Sequence, residues 1–256
     1  MNTNKALILI VNDDGITAPG IKALLSVAKE FGEIVVVAPD KPQSGMGHAI
    51  TMNSTLHVEE TMVEGNIAYA CSGTPVDCVK IAVNKLLKRK PDLIVSGINH
   101  GSNSSINVIY SGTMSAAVEG SLEGIPSIGF SLLNHSIDAD FTSAKLYARK
   151  IITAVLEHNN NKNICLNVNI PDLKENLIRG IKVCRQAKGN WHEDYDERVD
   201  PMGRTYYWLT GKFVIEDDGT DTDEWALANQ YVSIVPVQTD ITDYKILNDI
   251  KNLENV

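Results

Sequence analysis

The sequence predicts an α/β fold built on a mostly parallel sheet. Short apolar runs alternate with segments of helical periodicity along most of the chain. Several of these runs, Ala6–Val11 foremost, are apolar throughout, as suits strands buried on both faces. Polar, glycine-rich segments follow the ends of three such runs, where open α/β sheets bind ligands. Strand–helix–strand repetition then implies right-handed crossovers.

Each element has its own signal. Ala6–Val11 reads as the first strand. A helix over 19–31 begins with Pro19 in its first turn, repeats Ile21, Leu24, Leu25 and Ala28 on one face, and ends at Gly32. The β-branched run 34–38 is the second strand. Further strands are expected over 51–58 and Asn66–Cys71, with a turn at Glu64 and Gly65. Thr74 caps a helix over 75–87 that starts on Pro75. Residues 93–95 form a core strand, 113–123 a helix stopped by Gly124, 126–131 a strand, 141–158 a helix and 164–169 a strand. Residues 159–163 form a polar turn cluster.

Composition narrows the function classes. The 256 residues carry 23 basic and 32 acidic side chains, a net charge of −9, and are 43% hydrophobic. That apolar content belongs to a folded domain. The absence of a basic field argues against nucleic acid as a partner. The longest aliphatic run has six residues, far short of the roughly 20 needed to span a bilayer, so no membrane role is expected. The opening MNTNK does not read as a secretory leader, and four cysteines without a CxxC pair read as reduced, buried thiols. A cytoplasmic protein is expected. The acidity is concentrated: residues 1–190 hold 18 basic and 17 acidic residues, whereas 191–256 hold 5 and 15. The division expected is therefore a core, 1–188, and a C-terminal region, 189–256, that serves oligomer contact or presents a solvated acidic surface.

Three loops carry the chemistry. The first is Asn12-Asp13-Asp14-Gly15. The second runs from Asp40 through Gln43-Ser44-Gly45-Met46-Gly47-His48. The third opens with Ser96-Gly97-Ile98-Asn99-His100-Gly101 and ends in Tyr110-Ser111-Gly112-Thr113. Adjacent carboxylates repel, and Asp13 and Asp14 converge only if the chain turns, which Gly15 permits. With hydroxyl and amide oxygens they make an all-oxygen set suited to Mg²⁺, Mn²⁺ or Ca²⁺ and not to zinc. The same Asp pair equally suits a turn with helix-capping roles, and Ser44 equally suits a plain turn. Ser111 or Thr113 at a helix start offers an anion site, or ordinary N-capping. Cys78 reads as buried on a helix face. A nucleophile elbow, a Walker A loop and a GxGxxG after the first strand are all missing.

These segments, with Ser72-Gly73-Thr74-Pro75 and Asp77-Cys78 between the second and third loops, occur in one order over roughly residues 6–131. In that order they closely resemble the SurE survival-protein family. The resemblance implies a Rossmann-like three-layer core with a C-terminal β-hairpin and helix extension. It implies a metal-dependent phosphomonoesterase acting on nucleoside 5′- and 3′-monophosphates, with short polyphosphate cleaved by some members. One divalent ion per subunit, Mg or Mn, would be held by Asp13, Asp14, Ser44 and Asn99. Asn12, Gly45, Ser111, Gly112 and Thr113 would lie by the substrate phosphate. A homodimer or homotetramer is implied, with a hairpin from 191–195 and 205–209 and a helix over 241–253 bearing Tyr244, Leu247, Ile250 and Leu253. That stripe alternatively packs on its own domain. Two rivals remain: a non-catalytic nucleotide or metal sensor, and an Asp-nucleophile phosphatase. The latter usually spaces its aspartates D-x-D, and here they are adjacent.

Overall fold

The computed structural model of the chain describes residues 5–157 and 164–255. The strands are β1 (Ala6–Val11), β2 (Gly32–Pro39), β3 (Val58–Val63), β4 (Asn66–Cys71), β5 (Leu93–His100), β6 (Ser127–Leu132) and β7 (Cys165–Ile170), then β8 (Gly180–Val183), β9 (Gly189–Val199), β10 (Thr205–Ile215) and β11 (Tyr231–Pro236). The α-helices are α1 (Pro19–Ala28), α2 (Pro75–Ile81), α3 (Gly112–Leu122), α4 (Thr142–Glu157) and α5 (Asp223–Ala228). Nine strands form one sheet in the order β3-β4-β2-β1-β5-β6-β7-β11-β8. From β4 to β7 all neighbours are parallel, while β3 and β11 run antiparallel to the edge strands of this block, β4 and β7.

Alternating side chains of the central strands feed two cores. Ile8 and Ile10 of β1 join Leu24 of α1 and Ala148 and Ile152 of α4 on one face. Leu9 and Val11 join Cys78 and Val79 of α2 and Ala116 of α3 on the other. The result is the expected three-layer α/β architecture. Fully burying one such aliphatic side chain contributes roughly 1.5–3 kcal/mol, so both faces of β1 help to hold the helical layers onto the sheet. The thiols of Cys71, Cys78, Cys165 and Cys184 are free and buried, as expected.

The chain leaves the sequence-based outline in four places. The strand expected over 51–58 is irregular until Val58, and the strand there is β3. Its polar groups are claimed by side chains: the Thr51 N–H and hydroxyl donate to Asp77 (3.1 and 2.6 Å), and the His57 N–H donates to Ser72 Oγ (2.9 Å). The helix over 75–87 is α2 followed by a π-helical turn, Ala82–Leu86. The α-helix expected over 241–253 is replaced by turns and a short 3₁₀ helix, Lys251–Asn255. There Asp240 and Asp243 accept the N–H groups of Thr242 and Lys245 (both 2.9 Å) and hold the backbone in turns. Tyr244, Leu247, Ile250 and Leu253 stay exposed, so no packing favours a regular helix. Finally, β8, α5 and β11 carry no strong sequence signal. β11 is nonetheless inserted between β7 and β8, and α5 packs against it.

The hairpin β9–β10 is twice as long as the short pattern suggested, pairing Gly189 with Ile215 at its base and Val199 with Thr205 at its tip. It forms a separate two-stranded sheet outside the main one. The turn cluster 159–163 lies outside the described residues.

Candidate active site

The site lies where the chain order reverses, with β1 flanked by β2 on one side and β5 on the other. β1 and β5 pair with Val11 opposite Ser96. Asp14 and Asn99 each follow that pair by three residues, Asp14 in the turn after β1 and Asn99 beyond an irregularity in β5. Gly15, at φ +98°, turns the chain there and lets both aspartates face the crevice.

Backbone bonds close the loops onto one another. The Gln43 N–H donates to the Asp13 carbonyl (2.7 Å) and the Ile16 N–H to the Pro39 carbonyl (2.9 Å). The Gly47 N–H donates to the Tyr110 carbonyl (3.1 Å), joining the second loop to the approach to α3. Ser44 and Gly45 are exposed in the turn of that loop. Further along, the His48 ring meets Glu119 Oε2 at 2.9 Å and Lys80 meets Oε1 at 2.6 Å. These contacts hold the nearly buried Glu119 carboxyl below its usual range, the His48 hydrogen bond contributing most. His48 thus packs two helical turns down α3 from the crevice.

Asp13 is 4% exposed and abuts the start of α3. The Thr113 hydroxyl donates to Asp13 Oδ1. Burial pushes the Asp13 carboxyl up to about 6, against the opposing pull of the Thr113 hydroxyl and backbone N–H and with added repulsion from Asp14. Asp14 is raised as well, first by desolvation, with the neighbouring His100 ring and backbone N–H opposing. Gly112 permits this approach: a Cβ there would meet Asp13 Cβ at 2.7 Å. Ser111 caps α3 by accepting the Met114 N–H (3.0 Å).

Asn12 Nδ2 donates to the Gly15 carbonyl (2.8 Å), and Asn99 Nδ2 donates to the Gly101 carbonyl (2.9 Å). Both amide oxygens are thereby left to accept from, or ligate, something else. Among the described residues, Asn12 Oδ1 and Asp14 Oδ2 are buried without a hydrogen-bond partner. Unpartnered buried oxygens beside two carboxyls that burial disfavours as anions fit a hard divalent cation. Among the described residues no group of three His, Cys, Asp or Glu side chains forms a metal site, so such an ion would draw on hydroxyl and amide oxygens too.

The long third loop is ordered by a buried polar network that spacing does not reveal. Asn169 Oδ1 accepts the Asn103 N–H (2.8 Å), Asn167 Nδ2 donates to the Asn103 carbonyl (2.8 Å), and Asn103 Nδ2 donates to Ser131 Oγ (2.8 Å). Asp223, at the start of α5, accepts the N–H groups of Ser105 (2.8 Å) and Ala187 (2.9 Å). Asp223→Ala leaves both donors buried and unpaired. It should cost about 3 kcal/mol, read as a lower urea midpoint at unchanged slope.

The model of the family described as Survival protein SurE matches residues 8–193. The chain belongs to the SurE family. A protein of Christiangramia forsetii named 5'-nucleotidase SurE is 59% identical over 255 residues, 98% of each chain. One of the same name from Flavobacterium psychrophilum is 59% identical over 251 residues, 97% of this chain and 98% of its own. The crystal structure of the SurE protein from Aquifex aeolicus superposes with a TM-score of 0.83 at 40% identity, covering 97% of this chain and 99% of that one. The SurE match accounts for the parallel core with its flanking helices, and the loops around Asp13, Asp14, Ser44 and Asn99 all fall within the matched residues.

Proposed function

We propose that the chain is a metal-dependent nucleotidase that hydrolyses nucleoside 5′- and 3′-monophosphates to nucleoside and phosphate. What carries this reading is the cluster of Asp13 and Asp14 with unpartnered Asn12 Oδ1 and Asp14 Oδ2 against the start of α3. It is supported by relatives named 5'-nucleotidase SurE at 59% identity over nearly the whole chain.

Asp13, Asp14, Ser44 and Asn99 would hold one Mg²⁺ or Mn²⁺ per subunit. The bound ion supplies Lewis-acid polarisation of a phosphoryl oxygen and a water of lowered pKa. Thr113 holds Asp13 in one rotamer through its hydroxyl, so the carboxylate is positioned before substrate arrives. Ser111, Gly112 and Thr113 open α3, whose positive end favours the phosphate. Gly45 lets the second loop's backbone approach it, and Asn12 fixes the turn at Gly15. Such a transfer depends mainly on positioning and charge neutralisation.

Among the described residues no helix is long and apolar enough to cross a membrane. A cytoplasmic location fits this reading, as does a homodimer or homotetramer. The exposed aromatics of the hairpin and the exposed stripe after residue 240 would make the contacts between subunits, while α5 and β11 serve the core. The test is phosphate release from a panel of nucleoside monophosphates after chelation, with and without added Mn²⁺ or Mg²⁺. Metal-restored release is expected. Nucleotide binding without release would establish the sensor instead.

A further inference from the structure

The helix that abuts Asp13 also grips the loop that carries Ser44. Glu119 lies in α3, six residues after Thr113, and its side chain is 4% exposed. Both carboxylate oxygens are taken, Oε2 by the His48 ring at 2.9 Å and Oε1 by the Lys80 ammonium at 2.6 Å. Lys80 comes from α2, whereas His48 ends the second loop. Among the described residues no other side chain from 41 to 50 makes a hydrogen bond or ion pair.

α3 is a fixed reference for that grip. A Cβ at Gly120 would meet Ser127 Oγ at 2.3 Å and Ile94 Cδ1 at 2.7 Å, so this turn of the helix lies hard against β5 and β6. At its other end Gly112 and Thr113 abut Asp13. Thr113 and Glu119 are roughly 9 Å apart along the axis. The four residues from Ser44 to His48 span at most about 14 Å, so a grip on His48 restricts where Ser44 can sit.

The loop itself is lightly held. The Gln43 N–H bonds the Asp13 carbonyl before Ser44, and the Gly47 N–H bonds the Tyr110 carbonyl after it. Ser44, Gly45 and Met46 are exposed between these bonds, and a Cβ on Gly45 would meet nothing within 4 Å. A buried, doubly paired carboxylate adds little net stability, because desolvation offsets most of the attraction. An aliphatic side chain would fill the space between α2 and α3 without that cost. What the carboxylate adds is one defined geometry.

We propose that Glu119 is a positioning residue for the reaction: through His48 it holds the Ser44 loop in register with Asp13, so that one helix sets both parts of the ion site. The proposal rests on the reading of Ser44 as an ion ligand. Without the grip the loop is ordered only when the ion binds, and that ordering weakens binding.

The experiment measures Mn²⁺ binding to the metal-free protein by calorimetry, and hydrogen exchange of the Gly47 N–H. His48→Ala should weaken Mn²⁺ binding by about 10-fold, the lower end of the range for losing an outer-shell partner, and should speed the exchange. His48→Gln places an amide nitrogen where Nε2 was and should restore both. Lys80→Met leaves the His48 grip in place; it should lower the melting temperature and leave Mn²⁺ binding unchanged. Because the grip acts through Ser44, adding His48→Ala to Ser44→Ala should weaken binding by less than about 2-fold more. An equal further loss in the double variant, equal weakening by Lys80→Met, or native binding in His48→Ala would overturn the proposal. A lower melting temperature with binding and exchange unmoved would assign the pair to packing alone and also refute it. If the native protein binds neither Mn²⁺ nor Mg²⁺, the ion reading falls by itself. Faster Gly47 exchange in His48→Ala then still upholds the grip, and unchanged exchange refutes it.

Discussion

Asp13→Asn is expected to lower metal-supported phosphate release by about 10³-fold or more, the scale seen when a preorganised charge-stabilising group is lost. The same change should stabilise the metal-free protein. The folded carboxyl titrates at about 6 and the unfolded one near 3.8. Between those values the native state keeps a proton that the unfolded chain has shed. Native stability without metal therefore falls as pH rises through this window, by at most about 3 kcal/mol. Asparagine removes that penalty. In chelator at pH 7.5 the variant should melt higher than the native protein, by on the order of 5 °C. Added Mn²⁺ should raise the native melting temperature and leave that of the variant unmoved. A variant that keeps near-native turnover, or still gains stability from metal, would remove Asp13 from the metal site.

Gly112→Ala tests the opposite dissociation, a local gain in helix propensity with loss of function. Alanine is preferred over glycine in helices by roughly 1 kcal/mol. Its Cβ would nevertheless meet Asp13 Cβ at 2.7 Å. Either Asp13 leaves its rotamer and its Thr113 bond, or the start of α3 moves away. An ångström-scale displacement of a catalytic carboxylate costs about 10²-fold in rate. We expect kcat to fall by that amount while the denaturation midpoint changes little. Native kcat in this variant would show that the contact between α3 and Asp13 is dispensable.

What the sequence made legible follows from how local each cause is. Ala6–Val11 is apolar at every position because both faces of β1 are covered, and that pattern survives without context. The aspartates at its end could be seen because a glycine and a helix start follow at once. β11 and β8 could not be seen. Residues 231–236 mix Tyr, Ser and Pro with Val and Ile, and only the strands on either side reveal that they are interior. Asp223 looked like one more acidic residue in a charged tail. Its role depends on Ser105, 118 positions away. Thr113 was legible as a hydroxyl at a helix start, but its hold on Asp13 spans 100 residues and leaves no mark in spacing. The resemblance supplied Ser44 and Asn99, which neither periodicity nor composition singles out. The helix over 241–253 failed because an apolar stripe predicts only that something must cover it, not that the same chain will.

The hairpin separates two kinds of change. Its ends are paired at Gly189 and Ile215, and most of its side chains face solvent. Substitutions at such positions typically shift stability by less than about 0.5 kcal/mol. Thr113, Asn103 and Asp223, by contrast, sit in buried hydrogen bonds whose loss leaves polar groups unpaired. A lineage carrying this chain can therefore redraw the surface that the hairpin offers to a neighbouring molecule, one exposed strand residue at a time, while the buried bonds around the site stay fixed.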